Sequence, residues 1–160
     1  ADVRPLEACG AALAVVPVVR QVPNRGAEPT DRLKTPQSRR EVPVPGRAGA
    51  RLLGLASSGG YLSGDGMGGP STQTRLVRAW SSAPLPAGLR HPFRNLRNSY
   101  ETNARWSLRL PPWVVEPLLG HNGQGVTAMY YDRPSAQMFA EMVADAYRAR
   151  PYDAAWEWAN

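Results

Sequence analysis

The stretch from Pro112 to Pro134, PWVVEPLLGHNGQGVTAMYYDRP, predicts both the end of a helix and a chemical motif. Its first half repeats apolar residues at helical spacing, and Gly120 is placed to end that helix. Because Pro117 removes a backbone donor within the run, we expect the helix to be short or bent. Paired tyrosines, Tyr130 and Tyr131, begin ten residues after Gly120. A phenol in this setting can attack a phosphodiester, provided that cations stabilise the charge on the non-bridging oxygens.

Cationic side chains that could meet this need lie upstream of the tyrosines. Arg94 and Arg97 stand three residues apart in FRNLRNSY, and this spacing places both on one face of a predicted helix, where they could grip a phosphate. Lys34 opens KTPQSRREVPVP, which has the pattern of a hairpin, and His121 follows the glycine at the predicted helix end. The chain therefore supplies a lysine, two arginines, a histidine and a tyrosine in a defined order.

These blocks, taken in order, resemble the catalytic domain of the tyrosine recombinases, the phage integrases. KTPQSRREVPVP is similar to the β-hairpin in which that family keeps its lysine general acid, and RNLRNSY is similar to its H-x-x-R box. LLGH with GVTAMYYDRP is similar to the block that holds Gly-His and the nucleophilic tyrosine. The family's H-x-x-R box opens with histidine, and an arginine stands at that position here. The resemblance covers the chain from Leu33 to Pro134 and is carried by Lys34, Arg94, Arg97, Gly120, His121 and Tyr131.

The resemblance implies a role for each of these side chains in breaking and rejoining DNA. Tyr131 would attack the scissile phosphate and form a 3′-phosphotyrosyl link. Arg97, helped by Arg94, would hold the non-bridging oxygens, and His121 would donate a hydrogen bond to the same phosphate. Lys34 would protonate the leaving 5′ oxygen.

Each of these side chains also has a structural interpretation. Arg97 could pair with Glu101, four residues further on. His121 could cap the preceding helix, and Lys34 could be an exposed hairpin lysine. Taken one at a time these interpretations are the simpler ones, whereas the constellation as a whole is better explained by phosphoryl transfer.

The choice between the two tyrosines is not decided by spacing. Tyr130 lies nine positions after His121 and Tyr131 lies ten, and the family includes members with either offset. The run GVTAMYYDRP is most similar to integrases that have a histidine directly before the nucleophile. That similarity favours Tyr131, with Tyr130 in the place of the histidine; the alternative is that both are structural phenols.

The family has a further arginine ahead of the hairpin, in a pattern like Gly-x-Arg-x-Gly-Glu, and no such pattern occurs before Lys34. We therefore expect residues 1–134 to be a partial catalytic domain, the carboxyl-terminal part of a recombinase cut after its first catalytic arginine. Such a fragment of a site-specific DNA recombinase or integrase would be inactive alone. The alternatives are a catalytically dead remnant that binds DNA or partners, and an unrelated basic binding protein.

Charge agrees with a polyanionic partner. The chain has 19 lysines and arginines against 13 acidic residues, a formal net charge of +6 and a pI of about 10.1. This balance favours double-stranded DNA as the partner, although the arginines are scattered rather than gathered in one run, as in an ordinary basic domain.

Other residue types argue against several classes of site. With Cys9 as the single cysteine and His91 and His121 as the two histidines, we predict no disulfide, no metal and no small-molecule cofactor. A lone cysteine suits a reducing compartment, so we expect a cytoplasmic protein. The apolar stretch 11–19 is shorter than the ~20 residues that a membrane span needs, so no membrane partner is expected.

Periodicity predicts an α+β fold that is mainly α, in which a small antiparallel β-hairpin or sheet is followed by a helical domain. SSGGYLSGDGMGGPST (57–72) lacks the order of a nucleotide-binding glycine loop and is expected to be a surface excursion. Strands are predicted at Ala11–Gln21 and Glu41–Pro45. Helices are predicted at Ala48–Leu55, from the candidate caps Ser71 and Thr72 to Ala83, at Asn95–Leu108 and at Ser135–Arg148. In the helix at 95–108 we expect Trp106 and Leu108 to pack inward.

Residues 135–160 are expected to form a C-terminal helix and a loose tail. The helix carries an apolar stripe that includes Met138, Phe139, Met142 and Val143. Most stripes of this kind pack against their own core. In the recombinase family the element after the tyrosine docks on a neighbouring protomer, so the resemblance implies an oligomer contact here and a homo-oligomer on DNA.

Overall fold

The structure is a computed structural model that describes residues 2–22, 28–84, 91–121 and 134–150. Its β-sheet has three antiparallel strands in the order β1 (Arg4–Ala8), β2 (Ala11–Val18) and β3 (Arg40–Val44). Cys9 and Gly10 join β1 to β2 with φ angles of 52° and 72°. Two positive φ angles in a two-residue loop match the right-handed twist of the flanking strands.

The predicted α+β class is confirmed, and both predicted strands are present with small changes at their ends. Strand β2 ends at Val18, three residues before the predicted end, and β3 begins one residue earlier than predicted. Strand β1 was not predicted, because RPLEA is short and does not alternate between apolar and polar residues. Its register with β2 is set across the sheet, where Leu6 lies opposite Leu13.

The helices follow the sheet in the chain and lie near the predicted positions. A 3-10 turn precedes α3 and a π-helical turn continues it, so the predicted helix at 95–108 is one helical segment of mixed geometry. The helices are α1 (Gly46–Ser57), α2 (Gln73–Ser82), α3 (Leu96–Thr102), α4 (Pro112–Leu119) and α5 (Ala136–Ala149), with the 3-10 turn at Phe93–Asn95 and the π turn at Asn103–Ser107.

Local signals explain where several helices begin and end. The Thr72 hydroxyl accepts a hydrogen bond from the Arg75 backbone N–H, as predicted for the start of α2, and Ser135 caps α5 in the same way. Helix α4 is eight residues long, as expected of a run that contains Pro117. It ends at Gly120, whose φ of 75° lets the chain leave the helix in the left-handed region.

The core is formed where α4 and α5 cover the sheet. Helix α5 lies against all three strands, α4 against β3, and α1 against β2 and β3. The buried cluster consists of Ala8, Leu13, Ala104, Leu108, Leu110, Val114, Val115, Leu118, Leu119, Ala140, Val143 and Ala144. The cluster includes the four apolar residues of α4 that repeat at helical spacing in the sequence, Val114, Val115, Leu118 and Leu119.

The prediction that Trp106 packs inward is wrong. Leu108 is 6% exposed, as predicted, whereas Trp106 is 78% exposed. Residues two apart on a helix lie on nearly opposite faces, so the two cannot share one inner face. The inward positions of this segment are Ala104 and Leu108, four residues apart across the π turn.

Helix α2 is packed less deeply than its sequence pattern predicts. The pattern places Leu76, Val77, Ala79 and Trp80 on or near the inner face, whereas Leu76 and Trp80 are half-buried, Val77 is 39% exposed and Ala79 is exposed. The Trp80 indole makes an edge contact with Phe93 at a centroid distance of 6.1 Å, and its Nε1 donates to the His91 carbonyl at 2.7 Å. This contact fixes α2 beside the 3-10 turn that leads into α3.

The stripe on α5 packs mainly within its own chain. Val143 is buried, Phe139 and Met142 pack against the core cluster, and Met138 is 51% exposed. The oligomer contact expected for this helix stays a prediction, and the predicted tail, 151–160, lies outside the described residues. Among the described helices, none combines the length and the apolar character needed to cross a lipid bilayer.

Candidate functional site

A cleft of about 410 Å³ lies between the end of α4, the start of α3 and the connection that leads into β3. Three of the predicted site residues line it, although up to 87 positions separate them in the chain: Lys34, Arg97 and His121. The complete lining is Lys34, Thr35, Ser38, Arg40, Arg97, Leu119, Gly120 and His121. The cleft is therefore lined mainly by cationic and hydroxyl side chains.

Arg97 joins α3 to the end of α4. Its Nη2 donates to the Leu119 carbonyl at 2.8 Å and lies 2.6 Å from His121 Nε2. Guanidinium nitrogens only donate hydrogen bonds, so His121 Nε2 is the acceptor and the ring proton is on Nδ1.

Glu116 holds His121 from the other side. The His121 Nδ1–H donates to Glu116 Oε2 at 2.6 Å, and the His121 backbone N–H donates to the Glu116 carbonyl at 2.9 Å. The second bond is part of the helix-end motif that Gly120 makes possible. The structural interpretation of His121, as a cap of the preceding helix, is thus correct for its backbone, while its side chain faces the cleft.

Arg105 also binds Glu116. The carboxylate Oε1 of Glu116 accepts a hydrogen bond from Arg105 Nη2. Arg105 also forms an ion pair with Glu101, in which Arg105 Nε lies 3.0 Å from Glu101 Oε1. This buried Nε makes no hydrogen bond within the described part of the chain, so the contact is purely electrostatic. Glu101 therefore pairs with Arg105 and not with Arg97, the partner considered from the sequence.

Arg40 is the second arginine of the cleft and was not assigned from the sequence. Its Nε donates to the Leu118 carbonyl and its Nη1 to the Ser38 carbonyl, both at 2.8 Å. Burial lowers the pKa of Arg40, and the neighbouring positive charge of Arg97 lowers it further, while Tyr100 acts in the opposite direction. Two guanidiniums thus share one cleft.

The charge of this cleft is not balanced inside it. Across residues 2–22, 28–84, 91–121 and 134–150, no carboxylate forms an ion pair with Lys34, Arg40 or Arg97. Glu116, the nearest acidic group along this hydrogen-bonded chain, is already engaged by His121 and Arg105. An unbalanced group of cations in a concave site favours an anionic ligand.

Gly120 suits this position because its φ of 75° is strained for any residue with a side chain. A Cβ built there would lie 2.9 Å from Arg40 Nη1, so the end of the Arg40 side chain would have to shift. The glycine that ends α4 therefore also lets the Arg40 guanidinium approach the helix end.

Lys34 lines the cleft as an exposed side chain, in the segment between the isolated antiparallel bridge Gln21–Thr30 and β3. The remaining predicted residues do not line the cleft or lie outside the described residues. Arg94 is exposed in the 3-10 turn before α3 and is not among the residues that line the cleft. Tyr130 and Tyr131 lie outside the described residues.

Comparisons with protein-family models, with curated proteins and with solved structures gave no match. The chemistry of the cleft must therefore be argued from its own residues. Three contributors were missed in the sequence: Arg40, Glu116 and Arg105. Arg40 stood within the hairpin block and Glu116 five residues before His121, but neither position shows by itself which carbonyl or ring it will meet.

Proposed function

We propose that the cleft binds a phosphate of double-stranded DNA and belongs to a site-specific recombinase or integrase of the tyrosine class. The observation that carries this proposal is the meeting of Lys34, Arg97 and His121 in one cationic cleft without a balancing carboxylate among the described residues. The order and flanking pattern of the sequence blocks support the same chemistry. Residence in the cytoplasm and assembly into a homo-oligomer on DNA belong to this proposal.

In the proposed reaction the Tyr131 oxygen forms a bond to phosphorus and the bond from phosphorus to the 5′ oxygen breaks. His121 Nε2 accepts from the Arg97 guanidinium, and in the proposed reaction it takes the phenol proton and then donates to a phosphate oxygen. Arg97 turns from His121 to the non-bridging oxygens, where its charge stabilises the transition state. Lys34 donates its proton to the leaving 5′ oxygen, which completes the transfer.

A second candidate is a catalytically dead remnant that binds DNA or recombinase partners. It is favoured by one observation: Arg94, which stands where the family's H-x-x-R box has its histidine, does not line the cleft. Loss of one donor to the scissile phosphate costs on the order of a hundredfold or more in rate.

Binding to duplex DNA tests what the two candidates share. We expect the dissociation constant to rise steeply with salt, because bound phosphates release counterions. Arg97→Ala should weaken binding about tenfold, whereas Arg109→Ala, which removes the same charge outside the cleft, should weaken it by about twofold or less. Salt-insensitive binding, or equal losses in the two variants, would contradict the assignment of the cleft.

A covalent trap separates the two candidates. The protein is incubated with a pool of nicked duplexes whose cleavage releases a short strand, and adducts are detected by gel mobility before and after protease. These 160 residues should give little or no adduct by themselves. Any adduct should disappear in Tyr131→Phe and persist in Tyr130→Phe; robust cleavage would overturn the expectation that the chain is inactive alone.

A further inference from the structure

We propose that Arg40 is a phosphate-binding residue, the second guanidinium that grips the anion beside Arg97. This inference rests on the proposed function, because it concerns the same cleft and the same ligand. The sequence blocks assign no role to Arg40. We assign this role from its position in the cleft.

Donor geometry leaves Arg40 free to bind a ligand. Among residues 2–22, 28–84, 91–121 and 134–150, its bonds to Leu118 and Ser38 use Nε and Nη1, and Nη2 makes no hydrogen bond. Within the same residues the hydrogen-bond partners of Arg40 are backbone carbonyls, which leave the positive charge of the guanidinium without a carboxylate. A phosphate oxygen would supply both an acceptor and the opposite charge.

The position of Arg40 also prepares it for binding. The two carbonyl bonds fix the side chain between β3 and the end of α4, and the guanidinium is partly buried. A side chain that is already ordered loses little further entropy when a ligand arrives, so more of its interaction energy goes into affinity.

The closeness of Arg40 and Arg97 favours an anion bound by both side chains. Each positive charge raises the electrostatic energy of the other, and the charge of Arg97 contributes to the lowered pKa of Arg40. A phosphate between them would replace this repulsion with two attractive contacts. Because phosphate carries several acceptor oxygens, it can accept from Arg40 and Arg97 at once.

Arg39 provides a matched control one residue away. It carries the same charge but is exposed, does not line the cleft, and donates to the Asp31 carbonyl at 3.4 Å. Removing its charge changes the net charge of the protein as much as removing that of Arg40. Any difference between the two variants therefore reports position and not total charge.

The first test leaves the sequence unchanged. Inorganic phosphate is titrated into 15N-labelled protein at low temperature, and the side-chain Nε–H resonances of arginine are followed by NMR. We expect Arg40 and Arg97 to shift together with one saturating curve, while Arg39 stays in place. A shift of Arg97 without Arg40 would overturn the role of Arg40 and leave the proposed function standing; no shift in either would remove the phosphate site itself.

The second test uses duplex DNA binding across a salt series. Arg40→Gln should weaken binding about tenfold and lower the salt slope by about one, and Arg39→Gln should change affinity by about twofold or less. Thermal unfolding identifies a variant that has lost its fold. Arg40→Lys keeps the charge but lacks the paired N–H donors of a guanidinium, so its affinity should lie between those of Arg40→Gln and Arg39→Gln. Equal affinities for Arg40→Gln and Arg39→Gln, with wild-type binding intact, would refute the role of Arg40 alone.

Discussion

The end of α4 and the α1–α2 segment (46–84) differ in how firmly they are attached to the core. At the end of α4, Leu118 and Leu119 bury their side chains in the core cluster, and their carbonyls accept hydrogen bonds from Arg40 and Arg97. In α1 and α2 the only buried residue is Gly49. The cleft is therefore built directly on the core, whereas the α1–α2 segment is attached through close backbone approach and partly buried side chains.

The largest difference should follow from shortening one leucine in each region. Leu118→Ala removes a side chain that is 3% exposed and should lower the free energy of unfolding by about 2–5 kcal/mol. Leu76→Ala in α2 removes a half-buried side chain and should cost about 1 kcal/mol, since less apolar area is lost. Urea unfolding measures both, and equal costs would show that α2 is packed as deeply as α4.

The second prediction concerns two glycines of α1. A Cβ at Gly49 would meet the Val44 carbonyl oxygen, so Gly49→Ala should cost about 1–3 kcal/mol of unfolding free energy. Nothing lies within 4 Å of a Cβ at Gly54, and Gly54→Ala should stabilise the protein by about 0.5–1 kcal/mol through its helix propensity. If both variants were stabilised, α1 would not depend on close contact with the sheet.

A smaller effect is expected at the support of the cleft. Glu116 accepts from both Arg105 and His121, and a glutamine has one acceptor oxygen, so Glu116→Gln loses one of the two contacts. These side chains are partly exposed, so the unfolding free energy should fall by about 0.5–1.5 kcal/mol.

The ring of His121 gives this prediction a sharper readout. Its 15N chemical shifts should show a lower fraction of the Nδ1–H tautomer in Glu116→Gln. Glu101→Gln is the matched control, because Glu101 contacts Arg105 and not the imidazole. An unchanged tautomer in Glu116→Gln would mean that Arg97 alone orients the ring.

The smallest effect is expected in the glycine-rich loop of the α1–α2 segment. The backbone N–H groups of Met67 and Gly69 donate to Asp65 Oδ1 and hold the pKa of that carboxyl below its ordinary value. Because this pKa is lower in the folded than in the unfolded state, the ionised carboxylate stabilises the folded loop at any pH above the unfolded-state pKa. The contribution is lost as the pH falls through the folded-state pKa. The Met67 and Gly69 amide proton shifts should titrate at that lower pH, and Asp65→Ala should abolish the titration; flat curves in the wild type would rule out the contact.

Much of the fold could be predicted because its signals are local. Thr72 and Ser135 cap the helices that follow them, and Gly120 ends α4, since each acts on backbone groups within a few residues. Strand β1 could not be predicted in this way, because it depends on pairing with β2. That Trp106 and Leu108 cannot share one helix face follows from helix geometry, and only the packing decides that Leu108 is the buried one.

The types of residue at the site could be predicted from the sequence, but not all of the residues that line the cleft. Lys34, Arg97 and His121 were identified by motif order, and the structure brings them to one cleft. Among the arginines, sequence spacing favoured Arg94, while the cleft contains Arg40. Spacing on an ideal helix does not apply to Arg94, because a 3-10 turn places it outside the regular part of α3.

Helix caps, strands β2 and β3 and a supply of cations could be predicted from the sequence alone, because they depend on side chains and backbone groups that are close along the chain. The tertiary structure decided which cations share a ligand site. Arg40 finds its carbonyl partner 78 residues away and Arg97 finds one 22 residues away, both at the end of α4. Such contacts form only when α4 packs on the core, since its buried leucines place those carbonyls where the guanidiniums can reach them.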